Sequence, residues 1–389
     1  MGTKYILKYL LMTAILLGIG TFFYKCNNQR KSNMETKEYL VYVGTYTDGG
    51  SKGIYLYRLD TASGELRFIN TTGGIVNPSF LAIHPSKKFL YSVESIRGET
   101  GNICSFVIDR QTGELSFNNK QSSEGIGPCH VIVDNSGKWV LAANYNGGTV
   151  SILPVNEDGS LGLATDHKVH SGSSVNTERQ NEAHPHSIWI SPDNRFAIVP
   201  DLGIDKLVIY KLDLENGKLN PNDPNDFQTA PGAGPRHFTF HPNGRYGVVI
   251  NELNSTITSL AYDPDNGSFK KIQTVSTLPE NFTGTNTCAD VHFLPNGKFV
   301  YGSNRGHDSI AVIEFDDTTG KMSVIEYEST QGSTPRNFAI DPSGQILLAA
   351  NQRTGNVVTF WIDQKTGELT PTGFQTDIPS AVCLKLLDL

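Results

Sequence analysis

From residue 39 onward the chain repeats itself, and this repeat restricts the possible folds more than any other feature. Six segments align: "NPSFLAIHPSKKFLYSVES", "GPCHVIVDNSGKWVLAANY", "HPHSIWISPDNRFAIVPDL", "GPRHFTFHPNGRYGVVINE", "TCADVHFLPNGKFVYGSNR" and "TPRNFAIDPSGQILLAANQ". Their anchors are Pro78, Pro128, Pro185, Pro235, Cys288 and Pro335, with steps of 50, 57, 50, 53 and 47 residues. Each segment sets two alternating apolar runs on either side of a turn such as Pro-Asn-Gly, the pattern of two short antiparallel strands. A second hairpin follows, as in "GNICSFVIDRQTGELSFNNKQ" and "GNVVTFWIDQKTGELTPTGFQ", where Asp opens the turn and Gly takes the positive-φ position. Four strands in a period of roughly 45 to 50 residues make a β-propeller blade.

The chain ends set the blade number. Before the first full copy, "YLVYVGTYTDGGSKGIYLYRLDTASGELRFI" supplies the last three strands of a blade, and after the last copy "PSAVCLKLL" supplies a first strand. Joined, they make a seventh blade and close the ring, which removes open sheet edges. The expected fold class is therefore all-β: a seven-bladed propeller in one domain over 39–389, with the closing strand at 379–385. The 38 Gly, 19 Pro and 10% aromatic residues suit a turn-rich β chain.

Residues 1–31 stand outside the repeat. Lys4 and Lys8 precede an apolar run of about 16 residues, 9–24, shorter than the roughly 20 that span a bilayer. An export signal is the first reading, with "GIG" offering small residues for cleavage; a membrane anchor is the alternative, since Lys25, Arg30 and Lys31 follow. Either places the propeller outside the cytoplasm or on a membrane, with a cytoplasmic location as the remaining alternative. Cys26 fits a lipoprotein signal poorly, because Lys25 stands where a small residue is needed. The five cysteines show no zinc-ligand spacing, and the four at 104, 129, 288 and 383 read as small buried hydrophobes, so neither metal nor cofactor is expected. A net charge of −7 gives no reason to expect nucleic acid as a partner. The expected assembly is a monomer or a small homo-oligomer.

In a propeller the first strand of each blade lines the central channel, and the chain reverses from strand to strand. The entrance to strand one and the exit from strand two thus share one face. Around the ring, the entrances carry Cys129 and His130, His186, Arg236 and His237, Asp290, and Arg336 with Asn337; the exits carry Glu94, Asn144, Asp201, Glu252, Asn304 with Arg305, and Asn351. Asn144, Asn304 and Asn351 recur at matching points, as turn caps do. His84 and His241 fall in the hairpin turns of the opposite face, and His167 and His170 read as surface residues. Arg236, Glu252, Arg305 and His186 break the repeat, so blade geometry does not call for them, and substitution at Arg236 or Glu252 is expected to leave stability nearly unchanged. Guanidiniums near a carboxylate and an imidazole can bind a small anion and move a proton.

With "VGTYT", "GIYLY", "HPHS", "GPRHFTFHPNGRY", "NEL", "SNRGHDSI" and "ANQRTGNV", the chain over 39–389 resembles the seven-bladed lactonase family, which holds a bacterial class of 6-phosphogluconolactonase and the fungal 3-carboxy-cis,cis-muconate cyclase. In the cyclase branch a His, two Arg and a Glu form the site, with a 16-residue step from the first Arg to the Glu that Arg236 and Glu252 reproduce. The resemblance implies His186, Arg236, Glu252 and Arg305 as catalytic residues. His130, His237, Asn304, Arg336 and Asn337 are the expected substrate-binding residues, and the partner a small anionic lactone. No G-x-S-x-G elbow is present, so direct attack by water is expected, with Glu252 or His186 as base. A muconate-cyclase-like lactonising enzyme and a propeller that only binds a ligand or protein are the alternatives.

Overall fold

A computed structural model describes residues 37–388. The apolar run 9–24 and the remainder of the segment 1–31 lie outside the described residues. Seven four-stranded antiparallel sheets stand in a ring. Blades 1 to 6 span 81–126, 128–169, 189–228, 235–276, 287–329 and 335–377, and blade 7 joins Ala381–Asp388 to Glu38–Thr45, Ile54–Asp60 and Glu65–Thr72.

The core lies between the blades. A sheet inside the ring has a neighbour on each face, so its second strand is buried throughout, as in Trp139–Asn144, Phe196–Asp201 and Ile346–Asn351. One apolar cluster joins blades 7, 1 and 2, and five more fill the other gaps; Phe196, Ile198, Phe238 and Val249, for example, seal blade 3 to blade 4. Tyrosines on second strands strap adjacent blades: Tyr42, Tyr91 and Tyr301 donate to the carbonyls of Gly113, Gly159 and Gly367 in the next blade at 2.7, 3.0 and 2.8 Å. Gly113 shows why the outer turn needs glycine. Its φ is 78°, and a Cβ there would lie 2.4 Å from Leu40 Cδ1 of blade 7.

Closure follows the expected plan with a shifted strand. Ala381–Asp388 pairs antiparallel with Glu38–Thr45, from Tyr39 opposite Asp388 to Thr45 opposite Ala381. It starts two residues later than read from sequence because Pro379 has no N–H to give and Ser380 takes a left-handed φ of 51°. Blade 3 also departs from the pattern: its inner strand is only Trp189–Ile190, extended by an isolated bridge between Pro185 and Asp201. Ser187 lies in the break and donates to the backbone carbonyl of Arg236 in blade 4 instead of joining a ladder.

Removing 379–389 would strip the inner edge from Glu38–Thr45 and uncover the buried partners of Leu384 and Leu387. We expect the truncated protein to lose the single cooperative thermal transition of the full chain, measured by calorimetry. Leu384→Ala alone should cost about 2 to 5 kcal/mol.

Candidate active site

Strand alternation alone would point successive inner-strand residues in opposite directions. The blades avoid this with a bulge at the channel mouth. In blade 4, Pro235 pairs with Asn251 and His237 with Ile250, so Arg236 has no cross-strand partner. The same skip leaves out Cys129 in blade 2 and Arg336 in blade 6, and in blade 5 it leaves out Ala289 and Asp290. A bulge re-aims a side chain without breaking the sheet beyond it.

Glu252 is the centre of the mouth. Its N–H donates to Gly234 O at 2.7 Å, holding it at the exit of its strand beside the entrance of the neighbouring one. Three guanidiniums meet its carboxylate: Arg236 Nε at 3.0 Å and Arg305 Nη2 at 2.9 Å on Oε2, and Arg179 Nη2 at 2.6 Å on Oε1. Burial favours the neutral acid, but Arg305, Arg236 and Arg179 outweigh it and bring the carboxyl down to about 2. Glu252 is therefore ionised at any working pH.

The structure divides the expected residues into a wall and a support behind it. His186, Glu252, Arg305 and Arg336 line a cavity of about 660 Å³ at the mouth. The Arg336 side chain makes no hydrogen bond or ion pair among the described residues; its guanidinium lies 5.6 Å from the centre of the Tyr46 ring. Burial first, and then Arg236, hold the His186 imidazole neutral, well below its usual range, and its Nδ1 has no partner.

Arg236 lies behind the wall, 2% exposed, with its guanidinium committed to Glu252 and to Ala289 O at 2.6 Å. Burial, then Arg336 and Arg305, lower its pKa to about 9, so it stays charged at neutral pH. His237 is also behind, its Nδ1 2.7 Å from Asp290 Oδ1, and burial followed by Arg236 lowers it to about 4. His130 packs between Phe80 and Trp189, with ring centres 4.2 and 5.0 Å away.

Asn337 donates to Asp290 and accepts from Leu384 N at 2.7 Å, tying blade 6 to the closing strand. Asn304 donates to Thr277 O at 2.8 Å, as a turn cap would. These four expected substrate contacts, His130, His237, Asn304 and Asn337, thus meet the protein itself rather than the cavity. Other ring positions are likewise spent internally: Glu94 on Lys120, Asn144 on Ser123 O, Asn351 on Thr330 O, and Asp201 on His170.

His170, expected at the surface, is buried between Asp201 Oδ2 at 2.7 Å and Tyr210 Oη at 2.8 Å. His84 and His241 do brace the opposite face, each against a glycine carbonyl of the next blade, Gly137 and Gly297. Cys129, read as a small buried hydrophobe, lies on the cavity wall.

Sequence reading missed Arg179, Tyr145, Tyr46, Asn77 and Arg97 on that wall. Arg179 belongs to the segment between Asp166–Val169 and Trp189–Ile190. The step of 57 residues between Pro128 and Pro185, the longest of the five, was its one signal. The segment is pinned by His170, by Ser174 Oγ on Asp205 at 2.5 Å and by Gln180 Nε2 on Leu202 O at 2.8 Å. Tyr145 stacks on His184 with 4.3 Å between ring centres and meets His186 edge-on at 5.3 Å. Arg97, Arg179, Arg305 and Arg336 on the wall face two carboxylates, Asp48 and Glu252.

Fold and site together describe a propeller whose mouth gathers guanidiniums around one fixed carboxylate beside a cavity. The family described as lactonase, 7-bladed beta-propeller, matches residues 40–386. The 6-phosphogluconolactonase of Bacillus subtilis is 42% identical over 350 residues, which cover 90% of this chain and 99% of that protein. The 6-phosphogluconolactonase of Formosa agariphila is 37% identical over 334 residues, 85% and 94% of the two chains. Among solved structures, a putative 6-phosphogluconolactonase from Bacteroides fragilis superposes with a TM-score of 0.85 at 34% identity, covering 90% and 98%. The periplasmic gluconolactonase of Pseudomonas aeruginosa gives a TM-score of 0.85 at 30% identity, covering 90% and 99%. The chain belongs to the seven-bladed β-propeller lactonase family.

The buried ion cluster corrects the expectation that Arg236 and Glu252 are dispensable for stability. Glu252→Gln would leave Arg236 charged and buried, and should cost about 3 to 5 kcal/mol. Because folding depresses this carboxyl, its contribution is full above the unfolded value of 4.5 and is lost as pH falls towards about 2. The stability gap between wild type and Glu252→Gln, measured by denaturant titration, should therefore narrow from pH 5 downward. Arg336→Ala, which leaves no paired group behind, should cost less than about 1 kcal/mol.

Proposed function

We propose that the protein hydrolyses the ring ester of an aldonolactone bearing an anionic group, with 6-phospho-D-glucono-1,5-lactone as the leading substrate. The observation that carries this reading is the arrangement at the mouth: a carboxylate ionised at neutral pH facing the same cavity as an unpaired guanidinium, Arg336, and an imidazole kept neutral, His186. The relatives named 6-phosphogluconolactonase support the substrate class.

In this mechanism Glu252 takes a proton from water as the water oxygen bonds to the lactone carbonyl carbon. The carbonyl electron pair moves onto its oxygen, where Arg305 and Arg336 stabilise the charge. Collapse of that intermediate breaks the bond to the ring oxygen, which receives the proton held by Glu252, and the open-chain acid then loses its remaining water-derived proton to solvent, leaving the aldonate. Arg236 acts through Glu252, by fixing its Oε2, and His186 shapes and polarises the water site. Direct attack by water needs no nucleophilic serine.

A second reading, hydrolysis of an unphosphorylated aldonolactone, has its own support. The lysine-flanked apolar run 9–24 reads as an export signal or anchor, and one structural relative is named a periplasmic gluconolactonase. A phosphorylated lactone arises inside the cell, so an exported domain would meet the neutral sugar lactone instead. The two readings share the same chemistry and differ in the anionic group.

The test is a pH-stat assay of the purified propeller domain on phosphorylated and unphosphorylated gluconolactone. Glu252→Gln should lower kcat about 100-fold or more, the usual scale of a general base, when activity is referred to the folded fraction. His186→Asn should affect it less. Full activity in Glu252→Gln with loss in His186→Asn would give the base role to the imidazole, and no turnover of any aldonolactone by wild type would refute the proposal.

A further inference from the structure

Glu252 uses its two oxygens unequally. Oε2 accepts from both Arg236 and Arg305, while Oε1 accepts from Arg179. The side chains of Arg236 and Arg305 are 2% and 11% exposed, and each also donates to a backbone carbonyl, of Ala289 and Cys288 respectively. The Arg179 side chain is 40% exposed, and besides Glu252 it reaches, among the described residues, only the Tyr145 hydroxyl, at 3.4 Å.

The backbone beneath Arg179 is nevertheless fixed. Its N–H donates to Asn176 O at 3.1 Å, and the next residue, Gln180, is buried and bonded to Leu202 O. The side chain can therefore leave Glu252 without any movement of the segment that carries it.

We propose that Arg179 is an exchangeable cap: it pairs with Glu252 Oε1 in the empty site and turns to the anionic group of the entering substrate. The exchange selects anionic lactones and opens Oε1 to the attacking water at the same moment. This rests on the lactonase reading with Glu252 as base. A phosphate dianion offers a guanidinium two oxygens in parallel, whereas Oε1 of Glu252 offers one contact, so the incoming group competes well for it.

The exchange also tunes the base. Glu252 is faced by Arg179 from the segment before blade 3, by Arg236 from blade 4, by Arg305 and the Cys288 thiol from blade 5, by Arg336 from blade 6, and by the Cys129 thiol and Tyr145 hydroxyl from blade 2. The guanidiniums are the charged members of this set at neutral pH and hold the carboxylate weakly basic. Withdrawing one of them, or pairing it with a substrate anion, raises the basicity of Glu252 as the reaction begins.

Arg179→Gln tests this, since the residue is half exposed and the variant can be checked for an unchanged melting temperature. Titration calorimetry with 6-phosphogluconate and with gluconate isolates the phosphoryl group. The variant should bind 6-phosphogluconate about ten-fold or more weakly, in the range for a lost hydrogen bond to a charged group, and gluconate less than about two-fold more weakly. With one cation removed the carboxyl titrates higher, so the acid limb of kcat/KM on unphosphorylated gluconolactone should move to higher pH in the variant.

Equal losses for both ligands, no loss for either, or an unmoved acid limb would overturn the exchange even with lactone hydrolysis intact. The calorimetric contrast in a protein that turns over no lactone would support the cap and remove the lactonase reading instead.

Discussion

Apolar packing between neighbouring sheets carries this molecule. No blade could bury both of its faces alone, and each does so only because the ring brings a neighbour to either side. Closure by Ala381–Asp388 is thus a condition for every blade and not an ornament of the last. The site depends on it too. Glu252 and Arg236 come from blade 4, Arg305 from blade 5, Arg336 from blade 6, His186 and Arg179 from the chain leading into blade 3. An open ring would spread these groups apart and leave buried guanidiniums without their shared carboxylate.

The inner ends of the strands are where that packing gives way to chemistry. Below the mouth, His130, His237, Phe80 and Trp189 fill the channel, and Asp290 and Asn337 tie blades 4, 5, 6 and 7 together. His130, His237, Asp290 and Asn337 are almost fully buried, so charges at the base of the cavity interact strongly. Arg236 illustrates the result: nearly unexposed, it is held by one carboxylate and one carbonyl and in turn fixes the orientation of Glu252. The bulges at Cys129, Arg236 and Arg336 supply the geometry, freeing one residue per strand from the alternation that the sheet imposes.

Blade number, strand count and ring closure were legible because each is written in the chain several times over, as a period of apolar runs and turns. The departures were less so. The cavity-lining roles of Glu252, Arg305 and His186 could be read from their breaking of the repeat and that of Arg336 from its ring position, but the first rule also put Arg236 on the wall, and the second His130, His237, Asn304 and Asn337. Periodicity gives the height of a residue along the channel and not the direction of its side chain, which the bulges reset. Arg179 was invisible for another reason: it lies in an insertion with no counterpart in the other copies, and nothing local in "SGSSVNTERQNEAH" announces its partner 73 residues on.

The charge balance of the mouth bears on the end of the reaction as much as on its start. The chain as a whole is anionic, at −7, while the cavity wall presents more guanidiniums than carboxylates. If the ligand is the anionic lactone proposed above, a cationic cavity draws it in, yet hydrolysis adds a second negative group to it, and a wall of free cations would hold the product more tightly than the substrate. In that reading Glu252 limits this cost. As an ionised carboxylate already holding Arg236 and Arg305, it leaves fewer unpaired donors for the aldonate and repels the new carboxylate formed beside it. A site of isolated arginines would bind well and turn over slowly, whereas a carboxylate at its centre lets the same cations polarise a carbonyl and then release the acid.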